Sequence, residues 1–225
     1  MTRQEGIDAS RQDMVLAGAR SFSEVGFEAA TMLHISRNAG ISEETLYSEF
    51  PTKSCLAEEI LRRSVRELDA AASELSATEP ATQLNEAKTP ILQELVNACS
   101  KLVDLLREGD TIQAASARLT LDGGDVAPDS WNGLLLWVKY VEGILCRSRQ
   151  AGELLNTPWT TQTTAEHIVT IFAGQHQYSR TVGNINHLGE LLPALFETIL
   201  PTIAKPTTRL KLRMRDGTAA ELGDT

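Results

Sequence analysis

The chain has 225 residues and a formal net charge of −9 at neutral pH, with 42% hydrophobic residues. That is enough to build a small head and a larger body around a substantial core. No apolar run approaches the ~20 residues that span a bilayer, and the opening MTRQEGIDASRQD is too polar for a secretion signal, so no membrane partner and a cytoplasmic location are expected.

From Arg11 to Val25 the residues Met14, Val15, Ala17, Ala19, Phe22 and Val25 fall near helical spacing. Ser10 is the expected N-cap and Gly26 the left-handed stop. Thr31 can cap a short second helix carrying Met32, Leu33, Ile35 and Ala39. Gly40 makes a tight turn, and Ser42 caps a third helix bearing Leu46 and Tyr47. Phe50 and Pro51 close it, because a residue before proline is pushed out of the α region. Two short helices joined by a glycine turn make a helix-turn-helix pattern. Thr52 then caps a fourth helix, from Lys53 to about Ser76.

After a loop rich in Ala, Thr, Pro and Gln, Thr89 and Pro90 read as cap and first residue of a fifth helix. Asp110 caps a sixth, and the Gly-Gly and Pro between Asp122 and Asp129 form a loop. Helices are expected over about Ser130–Ala151, Thr164–Val182 and Asn186–Ala204. The fold is therefore read as all-α, with about nine helices: a head over 1–55, a body over 56–204 and a mobile tail over 205–225. Cys55, Cys99 and Cys146 stand far apart without a C-x-x-C, and His34, His167, His176 and His187 keep no ligand spacing with them. Neither a metal nor another cofactor is expected, and the thiols fit a reducing compartment. Ser, His and Asp residues set no nucleophile–base spacing, so no enzyme is expected.

Ala19, Phe22, Gly26, Phe27, Ala30 and Thr31, then Ala39-Gly40-Ile41-Ser42, then Leu46, Tyr47, Phe50 and Lys53 keep one fixed register. In this register the head resembles that of the TetR family of transcriptional repressors. Gly18 departs from the alanine the family often carries; a glycine inside a helix costs about 1 kcal/mol. The segments ARLTLDG (117–123), AGELL (151–155), FAGQHQYS (172–179) and HLGELLPALFETILPTIA (187–204) are similar to the γ-butyrolactone-receptor branch of that family.

The resemblance implies a ligand-responsive repressor, released from palindromic operator DNA by a small molecule of γ-butyrolactone type or a related metabolite. It implies DNA contacts from Ser42, Glu43, Glu44, Thr45, Tyr47 and Lys53. It also implies a pocket lined by an indole, for which Trp137 fits the distance to Gly152-Glu153 better than Trp131. An aromatic face of this kind packs against a lactone ring and acyl chain. Trp137 equally keeps helical spacing with Leu134, Tyr140, Val141 and Ile144, as a core residue would. Ser64 stands where the branch often has glutamine on the fourth helix, and Ala173 where it often has threonine on the eighth; with His176 they complete the expected ligand set. A homodimer is implied through the last two helices, by Ile168, Ile171 and Phe172 with Leu188, Leu191, Leu192, Leu195, Phe196 and Ile199.

The departures form a pattern. The branch usually opens its third helix Thr-Lys-Gly-Ala-Leu-Tyr and continues Phe-His-Phe; here Glu43, Glu44 and Glu49 take the Lys, Gly and His positions. Over residues 1–55, Arg3, Arg11, Arg20, Arg37 and Lys53 face eight acids: Glu5, Asp8, Asp13, Glu24, Glu28, Glu43, Glu44 and Glu49. An acidic head is unusual for a surface that must approach phosphates. Acids in a first helical turn also favour the macrodipole, and glutamate can accept from cytosine N4. The alternative reading is a pseudo-receptor with weak or lost DNA binding, acting by ligand sequestration or heterodimerisation.

Overall fold

The apolar spacing of the sequence becomes ten helices in the computed structural model, which describes residues 3–78, 89–122 and 132–214. They are α1 (Arg3–Ala29), α2 (Met32–Ala39), α3 (Glu43–Glu49), α4 (Lys53–Thr78), α5 (Leu92–Glu108), α6 (Thr111–Asp122), α7 (Gly133–Gln150), α8 (Thr161–Thr181), α9 (Asn186–Ile203) and α10 (Pro206–Arg209). The all-α reading stands: among the described residues the extended backbone pairs only in isolated bridges, such as Leu154 with Ala204.

The capping chemistry explains most boundaries. Thr31, Ser42, Thr52 and Asp110 each accept the backbone N–H three residues on, from His34 (3.2 Å), Thr45 (3.1 Å), Cys55 (3.1 Å) and Gln113 (2.9 Å). Four details differ from expectation. Ser10 does not open α1, which begins at Arg3 and runs through it; the break at Gly26, with φ 81° and ψ 176°, is where expected, but one further turn follows it. Asn132 caps α7 through the Leu135 N–H at 3.1 Å, and Thr160 caps α8, which begins at Thr161, three residues before the expected start.

The fourth detail is the start of α5. Thr89 and Pro90 precede the helix, and its end is capped from afar: the Glu153 carboxylate accepts the N–H groups of Ile91 (2.7 Å) and Leu92 (2.9 Å). An acid at a helix N-terminus satisfies orphan donors and meets the positive end of the macrodipole.

The chain divides into two compact units, Met1–Arg66 with Gly109–Leu136, and Glu67–Glu108 with Trp137–Thr225. The helix-turn-helix head is thus part of a larger unit that takes in the first half of α4, all of α6 and the start of α7. Its core gathers Met14, Phe22, Ile35, Leu46, Leu56, Ile60, Leu61, Ala115 and Leu119. Gly18 has its explanation here. A Cβ at that position would fall 2.7 Å from Leu56 Cδ2, so the glycine lets α1 and α4 close on each other.

The second unit is built on α5, α7, α8 and α9. Leu92, Leu95, Val96, Val141, Ile144, Ile168, Leu188, Leu192, Leu195 and Phe196 fill its interior. The segment after α9, expected to be mobile, is held in its first ten residues. The Lys205 N–H and the Thr208 hydroxyl both donate to the Glu153 carbonyl, at 3.0 Å each. The buried Gln93 amide accepts from Arg213 N–H and donates to Arg213 C=O, both at 2.8 Å, and Leu212 is buried beside them. Residues 215–225 lie outside the described residues.

Candidate nucleic-acid interface and ligand site

The helix-turn-helix is fixed from inside. Leu46 is fully buried and anchors α3, Ile35 anchors α2, and Gly40 (φ 68°) turns the chain between them. With Leu46 inside, α3 presents Glu44, Thr45, Tyr47, Ser48 and Glu49 to solvent, with Glu43 half-buried. The Ser42 and Thr45 hydroxyls bond to each other at 2.7 Å, and Tyr47 is 45% exposed. This surface has the donors, acceptors and aromatic edge that reading a groove requires, and three carboxylates among them.

Two cations of the head are engaged by groups of the head itself. Arg11 lies over the Phe50 ring, 5.1 Å from its centroid, and its guanidinium reaches Glu59 (3.4 Å) and Glu49 (3.8 Å). Lys53, expected to serve a phosphate, points the other way. Its ammonium donates to the backbone carbonyls of Phe27 (2.6 Å), Glu28 (3.2 Å) and Ala30 (2.9 Å), and stands 4.4 Å from the Phe27 ring centroid. An ammonium has three hydrogens, and all three have acceptors. Burial pulls its pKa below the usual lysine range, with the Glu28 carboxylate opposing.

The expected ligand residues part company. Ser64 is a core residue of the first unit: its hydroxyl donates to Gln113 Oε1 at 2.6 Å and has no exposed surface. An α6 amide therefore takes up the hydrogen bond of the short α4 side chain. Trp131 lies outside the described residues. Trp137, Ala173 and His176 belong to the second unit.

On α7, Val138, Val141, Ile144 and Leu145 form the buried face, whereas Trp137 is only half-buried on its flank. Its ring meets Tyr140 edge-on at 6.1 Å and 82°. On α8, Ala173 is half-buried and His176, one turn on, is buried. Burial, reinforced by Arg180, pushes the His176 pKa down to about 4, so the ring is neutral at pH 7, with one donor and one acceptor nitrogen.

Sequence reasoning counted Tyr140 only as a core neighbour of Trp137. Its hydroxyl is buried and, among the described residues, has no hydrogen-bond partner. Burial, then the fields of Asp69, Cys99 and Glu94, raise its pKa well above the usual phenol range, so it stays a donor. A buried unpaired hydroxyl costs about 1–3 kcal/mol. The signal available in the sequence was the W-x-x-Y spacing, which puts the two rings on one helix face. Among the described residues no cluster of His, Cys, Asp and Glu could hold a metal ion, and no helix is long and apolar enough to cross a membrane.

Comparison with known proteins agrees with this layout. Residues 15–60 match the family model of bacterial regulatory proteins, tetR family. The A-factor receptor protein of Streptomyces griseus is 24% identical over 207 residues, 92% of this chain and 68% of that protein. The crystal structure of full-length native TylP, a TetR regulator from Streptomyces fradiae, superposes with a TM-score of 0.77 at 25% identity, over 98% of this chain and 91% of that one. That of an ArpA-like γ-butyrolactone receptor superposes with a TM-score of 0.60 at 18% identity, over 89% and 91%. Residues 15–60 thus carry the tetR-family regulatory domain, and over most of its length the chain is similar to the A-factor receptor protein and to a solved TetR regulator.

Proposed function

We propose that the protein is a ligand-responsive transcriptional regulator, a dimer that binds palindromic operator DNA and is released by a γ-butyrolactone or a related small metabolite. The observation that carries the DNA half is the intact recognition geometry, α3 capped by Ser42, anchored by Leu46 and presenting Thr45 and Tyr47. The ligand half rests on Trp137 beside the unpaired Tyr140 hydroxyl. An apolar ring packs on the indole, and a carbonyl oxygen accepts from the phenol; Ala173 and His176 are the α8 candidates for the same site.

The dimer face is narrower than the sequence suggests. Ile168, Leu188, Leu192, Leu195 and Phe196 are buried within one chain, whereas Ile171 is exposed and Phe172, Leu191 and Ile199 are half-buried. Tyr178 on α8 and Val182 at its C-cap extend the exposed row. These outward residues are the ones a second copy would cover.

A second reading has a specific observation in its favour. Glu43, Glu44 and Glu49 line α3, where Arg11 pairs with Glu49 alone of the three and Lys53 is turned to backbone carbonyls. That balance suits a pseudo-receptor with weak DNA binding. Fluorescence anisotropy against selected palindromic duplexes at two salt concentrations separates the two. A repressor binds at low salt and loses affinity as salt rises. Absence of binding at low salt, with a ligand response retained, supports the pseudo-receptor. On the ligand side, a synthetic acyl-γ-butyrolactone should quench tryptophan fluorescence in the wild type. Tyr140→Phe should weaken that binding about 5- to 100-fold, the loss of one buried hydrogen bond. Unchanged affinity would remove Tyr140 from the site.

A further inference from the structure

The last carbonyls of α1 need partners. The helix breaks at Gly26, closes one more turn and stops at Ala29, and no basic residue stands in its last turn. Such an end carries unpaired acceptors and the negative pole of the macrodipole. Lys53, from the first position of α4, supplies the missing cation and donates to the carbonyls of Phe27 and Glu28 in the last turn of α1 and to that of Ala30 just beyond it. Thr31, the N-cap of α2, is the next residue after Ala30.

We propose that Lys53 is a positioning residue for the recognition helix: it caps α1 across the head, fixes the point where α2 starts, and through the Gly40 turn sets the direction of α3. The residue acts through the backbone and makes no phosphate contact. Two features make the lock directional. The Phe27 ring sits under the ammonium and favours a cation over a neutral donor. Leu46 and Ile35 tie α3 and α2 to the same core, so a shift at Ala30 is passed on rather than absorbed.

Three variants test this: Lys53→Met, Lys53→Arg and Phe27→Leu, the last removing the ring while leaving the carbonyls. Two measurements are made on each, amide hydrogen exchange and anisotropy with a palindromic duplex selected on the wild type, over a range of salt. In Lys53→Met, exchange at residues 32–37 should rise by about tenfold or more while that of α9 stays unchanged. DNA affinity should fall by about tenfold or more with the slope of log K against log salt unchanged, and Lys53→Arg should recover much of it. Phe27→Leu should give a smaller change of the same kind.

A phosphate contact would behave differently. The slope would then fall by about one per head in Lys53→Met, with exchange unaltered, and the proposal would be overturned. Unaltered exchange and unaltered affinity would overturn it as well. The inference rests on α3 as the DNA-facing helix only for the binding measurement. If the wild type binds no duplex, the repressor reading fails while the exchange measurement still decides whether Lys53 holds the start of α2.

Discussion

Reversing the charge of α3 should raise the affinity for duplex DNA on the order of 100-fold at low salt. The variant is Glu43→Lys with Glu44→Lys. Each substitution removes a carboxylate that repels the backbone and adds a cation that can displace a counterion, and a dimer carries every change twice. The slope of log K against log salt should steepen by about 0.9 for each new phosphate contact. Glu43→Gln with Glu44→Gln should fall between the two, since it removes repulsion without adding a contact. A stability loss of about 0.5 kcal/mol per reversal is expected, because both acids sit in the first turn of α3, where the macrodipole favours them. Anisotropy and thermal melting read the two effects separately. An affinity unmoved by reversal would mean that these acids do not face DNA.

Cutting the chain after Ala204 should destabilise the second unit by about 5 kcal/mol and lower its melting temperature by about 10 °C or more. The cut removes buried Leu212 and the Thr208 bond to Glu153, and leaves the Gln93 amide buried with neither Arg213 partner. Gln93→Leu in the uncut chain should be milder, because it replaces the buried amide with an apolar side chain of similar size and leaves Leu212 and Thr208 in place. Calorimetry on both decides whether residues 205–214 are part of the folded unit. A melting temperature unchanged by the cut would show that they contribute nothing to it.

What the sequence made legible was local. Thr31, Ser42, Thr52 and Asp110 cap helices three residues ahead of themselves, and the periodic apolar residues around Met14, Phe22 and Leu46 do form the head's core. Spacing of three and four residues is what a helix imposes, so a sequence displays it directly. Other features were hidden because their partners are remote. Lys53 answers carbonyls 23 to 26 residues away, Glu153 caps a helix about 60 residues before it, and Gln93 holds backbone 120 residues on. Gly18 looked like a defect because its helix was in view and Leu56 was not.

The site divided along the same line. Tyr47 and Thr45 could be placed outward from the phase of α3 alone. Lys53 keeps the family's register, yet register does not say which way a long side chain turns. Ser64 was weighed against a glutamine at its own position, and the amide that meets it, Gln113, comes from another helix. Tyr140 stood in plain view as a core residue, and only the absence, among the described residues, of a partner for its buried hydroxyl marks it out.

The Glu153 junction has a consequence for the order of assembly. The first turn of α5 cannot satisfy its amides until residues made some sixty positions later have arrived, and Gln93 waits for residues 120 positions later. Contacts of such separation carry a loop-closure cost before they reward it, and they slow folding. During synthesis the head can pack once the start of α7 has emerged, whereas the second unit stays open at α5 until the segment 205–214 leaves the ribosome. Nascent chains stalled before that point should hold a finished head on an unfinished body.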